Sequence, residues 1–465
     1  MWCYTMRILH YTLGLPPYRS GGLTKYSVDL MLQQLKLGHK VYLLYPGHYN
    51  FSRKITIQGD NEYKGISVFE LVNPLPVPLL GGVKNPELFM QRASSKAVFS
   101  SFLEEVKPDI IHVHTLMGIH KEFFEVAKEK KIKVVFTTHD YYGICPKVNL
   151  IDYNNQICTD YRDGQKCVTC NTNAYSFPLI YMMQSKVYKT FKNSFLVKKL
   201  RESKKQKMKQ LSEKQSILVE DQVDLGLTVQ FQKLRDYYCS ILESIDYFHF
   251  NSSTTKKVYE NYVDITGEVI PIAHSGIKDN RILKNYDVQK PLKITFLGPL
   301  EEYKGFSLLR KSLISLLRKG KTNWHLNVFG NAYSIPLDTE KDFITLHGRY
   351  QSKDLFNIFQ KTDVLVIPSI WKETFGFIGL EALSYGVPIL VSEHVGFKDI
   401  IEDGVTGIIF KADPTELANI LEQLIHDRGI LEKINRNICQ QEFPYTMDVH
   451  VQKIQSMYKK VIGDR

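Results

Sequence analysis

The sequence predicts two doubly wound α/β domains in one chain, and three observations carry that prediction. Short apolar runs of strand length alternate with stretches of helical periodicity from Arg7 to Thr137, and the alternation returns from Lys293 to Ser392. Several runs end on glycine or polar loops, as strands of parallel βαβ units do. Between the two halves the pattern breaks into a cysteine-bearing loop and a long basic, helix-prone region.

In order, Arg7–Tyr11 reads as a buried strand, followed by a turn-rich loop holding Gly14, Pro16, Pro17, Gly21 and Gly22. Leu23, Tyr26, Leu30 and Leu35 give Leu23–Leu37 a helical face, Gly38 stops it, and Val41–Tyr45 is the next strand. Phe99–Val106 is predicted helical, Asp109–His114 a strand, His120–Lys130 a helix and Lys133–Thr137 a strand leading into His139-Asp140. Order returns over Ser244–Ser252. In the second half, Lys293–Gly298, Trp324–Gly330, Val364–Ser369 and Pro388–Ser392 are predicted strands, and Phe306–Leu317 and Thr374–Tyr385 helices. The expected domains are 1–285, with an insert at about 141–240, and 286–446. A hinge is expected near Val269–Pro291, and the helix Met447–Ile462 within 447–465 is free to pack back on the first domain. In open α/β sheets ligands bind at the carboxyl ends of the strands.

Composition narrows the function classes. The chain has 465 residues, 43% hydrophobic and 23% charged, which is ordinary soluble usage. No run of about 18 apolar residues suggests a membrane span. The N-terminus has neither the basic region, the long apolar run nor the cleavage site of a secretory signal, so a cytoplasmic protein is expected. Seven cysteines in so long a chain do not make a disulfide framework. The net charge of +11 is concentrated: between Ser185 and Gln215 eleven Lys/Arg face Glu202 and Glu213. Such a block points to an anionic partner or surface.

The segment Ile367–Leu383 carries the strongest chemical signal. It sets Glu373 and Glu381 eight positions apart across a loop-to-helix junction. Phe375-Gly376-Phe377 predicts a tight turn whose amides can point at a ligand, and a helix N-terminus there favours phosphate. Glu381 can accept hydrogen bonds from sugar hydroxyls; the bland alternative makes both glutamates solvated helix residues.

With this segment in place, the chain resembles the retaining GT-B glycosyltransferases of family 4. The resemblance runs through Gly21-Gly22, Gly38-His39, Pro108–His114, His139-Asp140, His274–Ile277, Lys304-Gly305, the glutamate motif and Asp403–Gly407. It implies a GT-B fold, two Rossmann-like domains facing a central cleft, here with a helical basic insert in the first. It implies transfer of a sugar from a nucleoside-diphosphate donor to a glycan or lipid-linked acceptor, with retained anomeric configuration and no cofactor required for catalysis. By position, Glu381 would bind the donor ribose and Glu373 would sit near the transferred sugar and diphosphate. Lys304 would neutralise the departing diphosphate, beside Gly298, Phe375, Gly376 and Phe377 of the donor site. Gly21 and Gly22 would let backbone amides approach the reaction centre, and His139 would contact donor sugar or acceptor. The chain departs from the family at Pro299, where an arginine is usual. Arg349 or Lys372 could replace that cation; a non-catalytic partner protein of the same fold is the alternative.

Two features lie outside that pattern. Cys145, Cys158, Cys167 and Cys170 are spaced C-x12-C-x8-C-x2-C, which leaves open a structural zinc site, reduced buried thiols or a redox role. The segment 177–214 mixes lysines with Leu179, Ile180, Tyr181, Phe191 and Phe195, and reads as an anionic-membrane surface, a guide for a lipid-diphosphate acceptor or a solvated insert. No nucleic-acid module accompanies the charge, so no nucleic-acid partner is expected.

Overall fold

The computed structural model describes residues 5–192, 194, 224–331 and 335–463. Of the basic segment, residues 193 and 195–214 therefore lie outside the described residues. The chain forms two compact units. The first draws on the chain up to Phe250, on Lys257–Glu268 and on the stretch from Val451 onward; the second holds Asn251–Lys256 and Val269–His450.

The first unit is built on an eight-stranded sheet in the order β3-β4-β2-β1-β5-β6-β7-β8. Its strands are β1 (Arg7–Tyr11), β2 (Lys40–Pro46), β3 (Thr56–Gly59), β4 (Ser67–Val72), β5 (Ile110–Val113), β6 (Lys133–Thr137), β7 (Tyr247–Phe250) and β8 (Gly267–Val269). The β1–β2, β1–β5, β5–β6, β6–β7 and β2–β4 pairs are parallel and β3–β4 is antiparallel. Helices α1 (Gly22–Lys36), α2 (Ala97–Val106) and α3 (Lys121–Glu129) supply the crossovers. β5 is buried at every residue and β6 at all but Lys133, as strands of a sheet covered on both faces are.

The insert adds α4 (Gln165–Cys170), α5 (Phe177–Met183), α6 (Lys186–Phe191) and α7 (Leu225–Leu242) before β7, with α8 (Ser253–Glu260) after it. α5 and α6 pack next to the glycine loop. Tyr18 Oη donates to Met183 O at 3.1 Å, Lys192 Nζ donates to Tyr18 O, and Lys189 Nζ pairs with the nearly buried Glu70 at 2.7 Å. Part of the basic character is thus spent inside the unit, while Met182, Val187 and Phe191 remain exposed on the same two helices. Among the described residues no helix is long and apolar enough to cross a membrane.

The second unit has a six-stranded parallel sheet in the order β11-β10-β9-β12-β13-β14, from β9 (Leu292–Leu297), β10 (Trp324–Phe329), β11 (Ile344–Gly348), β12 (Val364–Ile367), β13 (Ile389–Ser392) and β14 (Ile408–Phe410). Helices α9 (Phe306–Arg318), α10 (Leu355–Gln360), α11 (Phe377–Leu383), α12 (Pro414–His426) and α13 (Gly429–Gln440) flank it. α9 buries Phe306, Leu309, Leu313 and Leu316 at helical spacing against Trp324, Leu326, Leu417 and Leu421. Each such side chain contributes about 1.5–3 kcal/mol of burial. Asp413 caps α12 by accepting from the Thr415 and Glu416 amides.

One expected element is shorter than the pattern suggested. The helix predicted over Thr374–Tyr385 begins at Phe377 and ends at Leu383. Glu373 pairs in a parallel bridge with Val395, the Gly396 amide donates to Glu373 O and the Phe397 amide to Phe375 O, so this backbone is held extended before the helix starts. Gly376 turns the corner at φ 97°.

Each sheet reverses its winding once. In the first the reversal falls between β1 and β5, and in the second between β9 and β12. Loops leaving neighbouring strands on opposite sides of such a point part to form a crevice.

Candidate functional site

In the second unit the crevice loops follow β9 and β12, and they carry Gly298–Gly305 and Pro368–Gly376. The two loops touch. Ile370 N donates to Tyr303 O at 3.0 Å, and a Cβ on Gly305, at φ 77°, would lie 1.7 Å from Pro368 O. Only glycine permits that approach. Just before it, Lys304 Nζ reaches Glu373 Oε1 at 2.7 Å, lying 5.2 Å from the Trp371 ring centre, and Ser369 Oγ donates to Glu373 Oε2 at 2.6 Å. Both oxygens of the Glu373 carboxylate are therefore engaged. Lys304 and Glu373 are largely buried, which strengthens their attraction and fixes the ammonium beside the crevice.

Glu381 is the fifth residue of the seven-residue α11, closer to the helix start than a longer helix would have placed it. It is nearly buried, and its Oε1 lies 3.1 Å from His274 Nε2. The Gly276 amide donates to His274 Nδ1 at 3.1 Å. That donation leaves Nδ1 unprotonated and puts the His274 proton on Nε2, where it is given to Glu381. Phe377 stands edge-on to the His274 ring at 5.1 Å. His274 was legible in the sequence only as part of a motif; the structure makes it the residue that orients Glu381.

Gly298 adopts φ 149° at the end of β9, and its amide donates to Phe329 O. Pro299 follows it and offers neither charge nor N–H. Of the two cations considered as substitutes, Lys372 Nζ donates to His394 Nδ1 at 3.3 Å. Burial and that ammonium hold the His394 pKa below its ordinary value. Arg349 instead lines a cavity of about 700 Å³ with His325, Asn327, Phe329, His347 and Tyr350. Lys304, Glu373 and Glu381 do not line that cavity, but Tyr350 links the two regions: burial, then the charge of Glu381, push its phenol pKa up.

In the first unit the crevice loops follow β1 and β5. Gly21 caps α1 at φ 110°, with its carbonyl accepting from Lys25 N, and Gly22 opens the helix. A Cβ at Gly21 would meet nothing within 4 Å, so the positive φ and not lack of room calls for glycine. His139 sits just past β6 and is half-buried.

Behind His139 lies a chain of imidazoles that the sequence showed only as separate histidines. His139 Nε2 is 3.2 Å from His114 Nδ1, His114 Nε2 is 3.0 Å from His10 Nδ1, and His10 Nε2 is 2.7 Å from Gln34 Oε1. The Gln34 amide nitrogen donates to Tyr458 Oη at 3.2 Å, and Tyr458 Oη lies 2.5 Å from His112 Nδ1. The acceptor Oε1 places the His10 proton on Nε2 and leaves its Nδ1 to accept from His114. The same step repeats, so His139 donates to His114 through Nε2. Burial keeps these rings neutral: it lowers the pKa of His10 to about 4 and of His139 to about 3, and drives His114 well below its usual value. His10, His112 and His114 also have nitrogens within 4.8 Å of one another, near enough for a metal ion, but the hydrogen bonds already match those nitrogens.

Asp140, next in the chain, is a second residue the motif did not single out. Burial raises its pKa from 3.8 to about 6, opposed by the Tyr142 amide that donates to Oδ1 at 2.9 Å. The four cysteines follow in the same loop as free thiols, Cys145 and Cys167 buried and Cys158 and Cys170 half-buried.

Known proteins resemble this chain in both halves. The family described as Glycosyl transferases group 1 matches residues 279–441, and Glycosyltransferase Family 4 matches residues 20–163. A 42.6 kDa protein in the cps region of Klebsiella pneumoniae is 24% identical over 394 residues, 83% of this chain and 84% of that protein. A 41.2 kDa protein from the same region is 27% identical over 189 residues, 40% of this chain and 49% of that protein. The D-inositol 3-phosphate glycosyltransferase of Corynebacterium diphtheriae is 24% identical over 178 residues, 36% and 42% of the two chains. In these last two matches the chain spans about half the length of the curated relatives it matches. Among solved structures, a glycosyltransferase from Rickettsia africae superposes with a TM-score of 0.56 at 13% identity, covering 99% of this chain and 100% of that one. Anabaena HepE in complex with UDP and glucose gives 0.53 at 14%, covering 97% and 99%. These likenesses establish the two-domain fold.

Proposed function

We propose that this chain, which belongs to the family 4 glycosyltransferases of the GT-B fold, transfers a sugar from a nucleoside-diphosphate donor to a glycan or lipid-linked acceptor in polysaccharide or glycolipid assembly. The observation that carries the reading is the Lys304–Glu373 pair at the β9/β12 crevice, with the His274–Glu381 pair on the helix that follows. The cps-region relatives support the polysaccharide setting, and the UDP complex of HepE supports a nucleotide-sugar donor.

In this reading Glu381, fixed by His274, accepts from the donor ribose hydroxyls. The diphosphate lies along Gly298 and the turn Phe375-Gly376-Phe377, against Lys304. As the bond from the anomeric carbon to the diphosphate oxygen breaks, negative charge grows on that oxygen, and a fixed ammonium stabilises it most at that stage. The acceptor hydroxyl bonds to the anomeric carbon on the same face and gives its proton to the departing phosphate, so configuration is retained without a carboxylate nucleophile. Gly21 and Gly22 bring backbone amides to the reacting sugar. His139, at the end of the imidazole chain, contacts the donor sugar or the acceptor. The exposed Met182, Val187 and Phe191, continuous in sequence with the lysine-rich run, support attachment to an anionic membrane surface at the cytoplasmic face.

Calorimetry of the purified chain with UDP-, GDP- and ADP-sugars, followed by product analysis with the donor that binds, tests the transferase reading. One donor should bind and turn over. Pro299 favours a second reading, a non-catalytic partner of the same fold, and binding without any donor hydrolysis or transfer would select it. Vesicle sedimentation tests the membrane surface: binding should rise with anionic lipid and fall with salt.

A further inference from the structure

Three cationic side chains of the first unit converge on one phenol ring, and one of them has nothing to balance it. The ring is Tyr18, in the loop between β1 and α1. The Arg19 amide donates to Leu15 O at 2.9 Å and closes a turn, which fixes where the Tyr18 and Arg19 side chains leave the backbone. Tyr18 Oη donates to Met183 O at the end of α5, and Tyr18 O accepts from Lys192 just past α6, so the residue is tied at both ends. Around its ring centre stand the Arg19 guanidinium at 4.5 Å and the Lys189 and Lys192 ammoniums at 5.1 Å each. An aromatic face attracts a cation, but three cations about one ring repel one another.

The two lysines are engaged. Lys189 Nζ pairs with Glu70 Oε1 at 2.7 Å, and Lys192 Nζ holds the Tyr18 carbonyl. Arg19 differs: its guanidinium has no hydrogen bond or ion pair among the described residues, and its Nε is sealed from solvent without a partner. A Cβ at Gly14 would lie 3.4 Å from Arg19 Cγ, so the stem is packed within the loop; the residue is half-buried, and its Nη atoms are not sealed. Arginine stays charged, and a charge drawn out of water costs stability unless an anion and hydrogen bonds balance it. A guanidinium with ammoniums beside it suits phosphate, whose oxygens accept its fork of N–H donors in pairs.

The surroundings fit such a ligand. The loop leaves the carboxyl end of β1, and α1 starts shortly after Arg19 with no side-chain cap and no acidic residue in its first turn, which adds to the attraction for an anion. The helices that bring Lys189 and Lys192, α5 and α6, expose Met182, Val187 and Phe191. The same elements therefore offer cations and apolar surface, the pairing that a phosphorylated lipid requires. We propose that Arg19, with Lys189 and Lys192 beside it, clamps the phosphoryl group of a lipid-linked acceptor, a phosphate or diphosphate ester. The word acceptor rests on the transferase reading; the anion site does not. The donor diphosphate has Lys304 in the second unit, so a clamp in the first serves a different phosphate. The unbalanced charge lowers the stability of the empty protein and is offset when the anion arrives.

Calorimetry of the full chain with geranyl diphosphate, inorganic pyrophosphate and geraniol tests the clamp. Geranyl diphosphate should bind more tightly than pyrophosphate, and geraniol should give no heat. Arg19→Gln should weaken geranyl diphosphate by about 10-fold or more and leave nucleotide-sugar affinity unchanged, and Arg19→Lys should recover part of the loss. Lys304→Ala should keep geranyl diphosphate binding. Arg19 makes no bond in the empty protein, so Arg19→Gln should not lower Tm, whereas a packing role would. Sedimentation with phosphatidylglycerol vesicles separates the other source of phosphate: Arg19→Gln should bind them as the wild type does. Unchanged geranyl diphosphate affinity in Arg19→Gln, a parallel loss of donor affinity, a lowered Tm, or vesicle binding lost in step with geranyl diphosphate would each overturn the proposal. Arg19-dependent binding in a chain that turns over no donor would support the clamp and count against the transfer reading alone.

Discussion

In the proposed reaction Lys304 and Glu381 would divide two tasks, one at the leaving group and one at the ribose. Lys304 is held by Glu373; under the proposed function a diphosphate would compete for it, with an effect that grows as the leaving group gains charge. Lys304→Ala is expected to lower kcat by about 100-fold or more with a smaller change in donor affinity, whereas Glu381→Ala should weaken donor binding by about 10-fold or more. Calorimetry and initial rates on the same preparations separate the two effects, and unchanged values in both variants would remove the site assignment. Asp140 makes a different prediction. Its pKa is raised on folding, so the charge it carries costs stability: the cost is absent below the ordinary value of 3.8 and complete above about 6. Asp140→Asn keeps the acceptor for the Tyr142 amide and should therefore raise unfolding free energy at pH 8 by on the order of 2 kcal/mol. At pH 4 the two proteins should differ little, and urea titrations at both values check it.

At the scale of elements, the site depends on loops more than on helices. The β9 and β12 loops lie so close at Gly305 and Pro368 that one methyl group would part them. Gly305→Ala should cost at least about 2 kcal/mol, because it adds strain at a positive φ to a backbone clash. It should also pull Lys304 away from Glu373. A denaturation curve read alongside donor affinity tests both. These loops also show where sequence reading stops. The strands β1, β2, β5, β6, β9, β10, β12 and β13 were legible because local apolar runs mark them, and so was the glutamate motif. The antiparallel edge strand β3 and the short β14 were not, because their residues are mixed in polarity or few in number. The start of α11 was misplaced because pairing with Val395 and Phe397, a contact remote in sequence, decides where the backbone stops being extended.

Across the whole molecule, the least legible feature is the one that joins the most distant residues. Gln34 and Tyr458 are 424 positions apart and share a hydrogen bond in the interior of the first unit. No pattern of periodicity or charge encodes such a meeting; it follows only once β1, α1 and the helix Met447–Ile462, here α14, are folded together. Val451, Ile454, Met457 and Tyr458 are all buried, so the helix is anchored by its apolar face before its hydroxyl matters. Tyr458→Phe keeps that burial and removes the hydroxyl shared by Gln34 and His112. It should cost about 1–3 kcal/mol for the unsatisfied buried donor, and should lower kcat while sparing donor binding, since His139 is reached through Gln34, His10 and His114. Equal loss of kcat and donor affinity would assign the helix a purely structural role.

The division of the chain has a consequence for how the protein is made. The second unit is a guest threaded through the sequence of its host: residues 251–256 of the guest come before 257–268 of the host, the guest's 269–450 follow, and only afterwards come residues 451–463 of the host. Until that helix emerges, Gln34 and His112 lack the phenol that joins them, so the host's interior stays unfinished while the guest is being made. A prematurely terminated chain would carry that defect however well its guest had folded, and a clean separation of the halves would need the terminal helix grafted back onto the host.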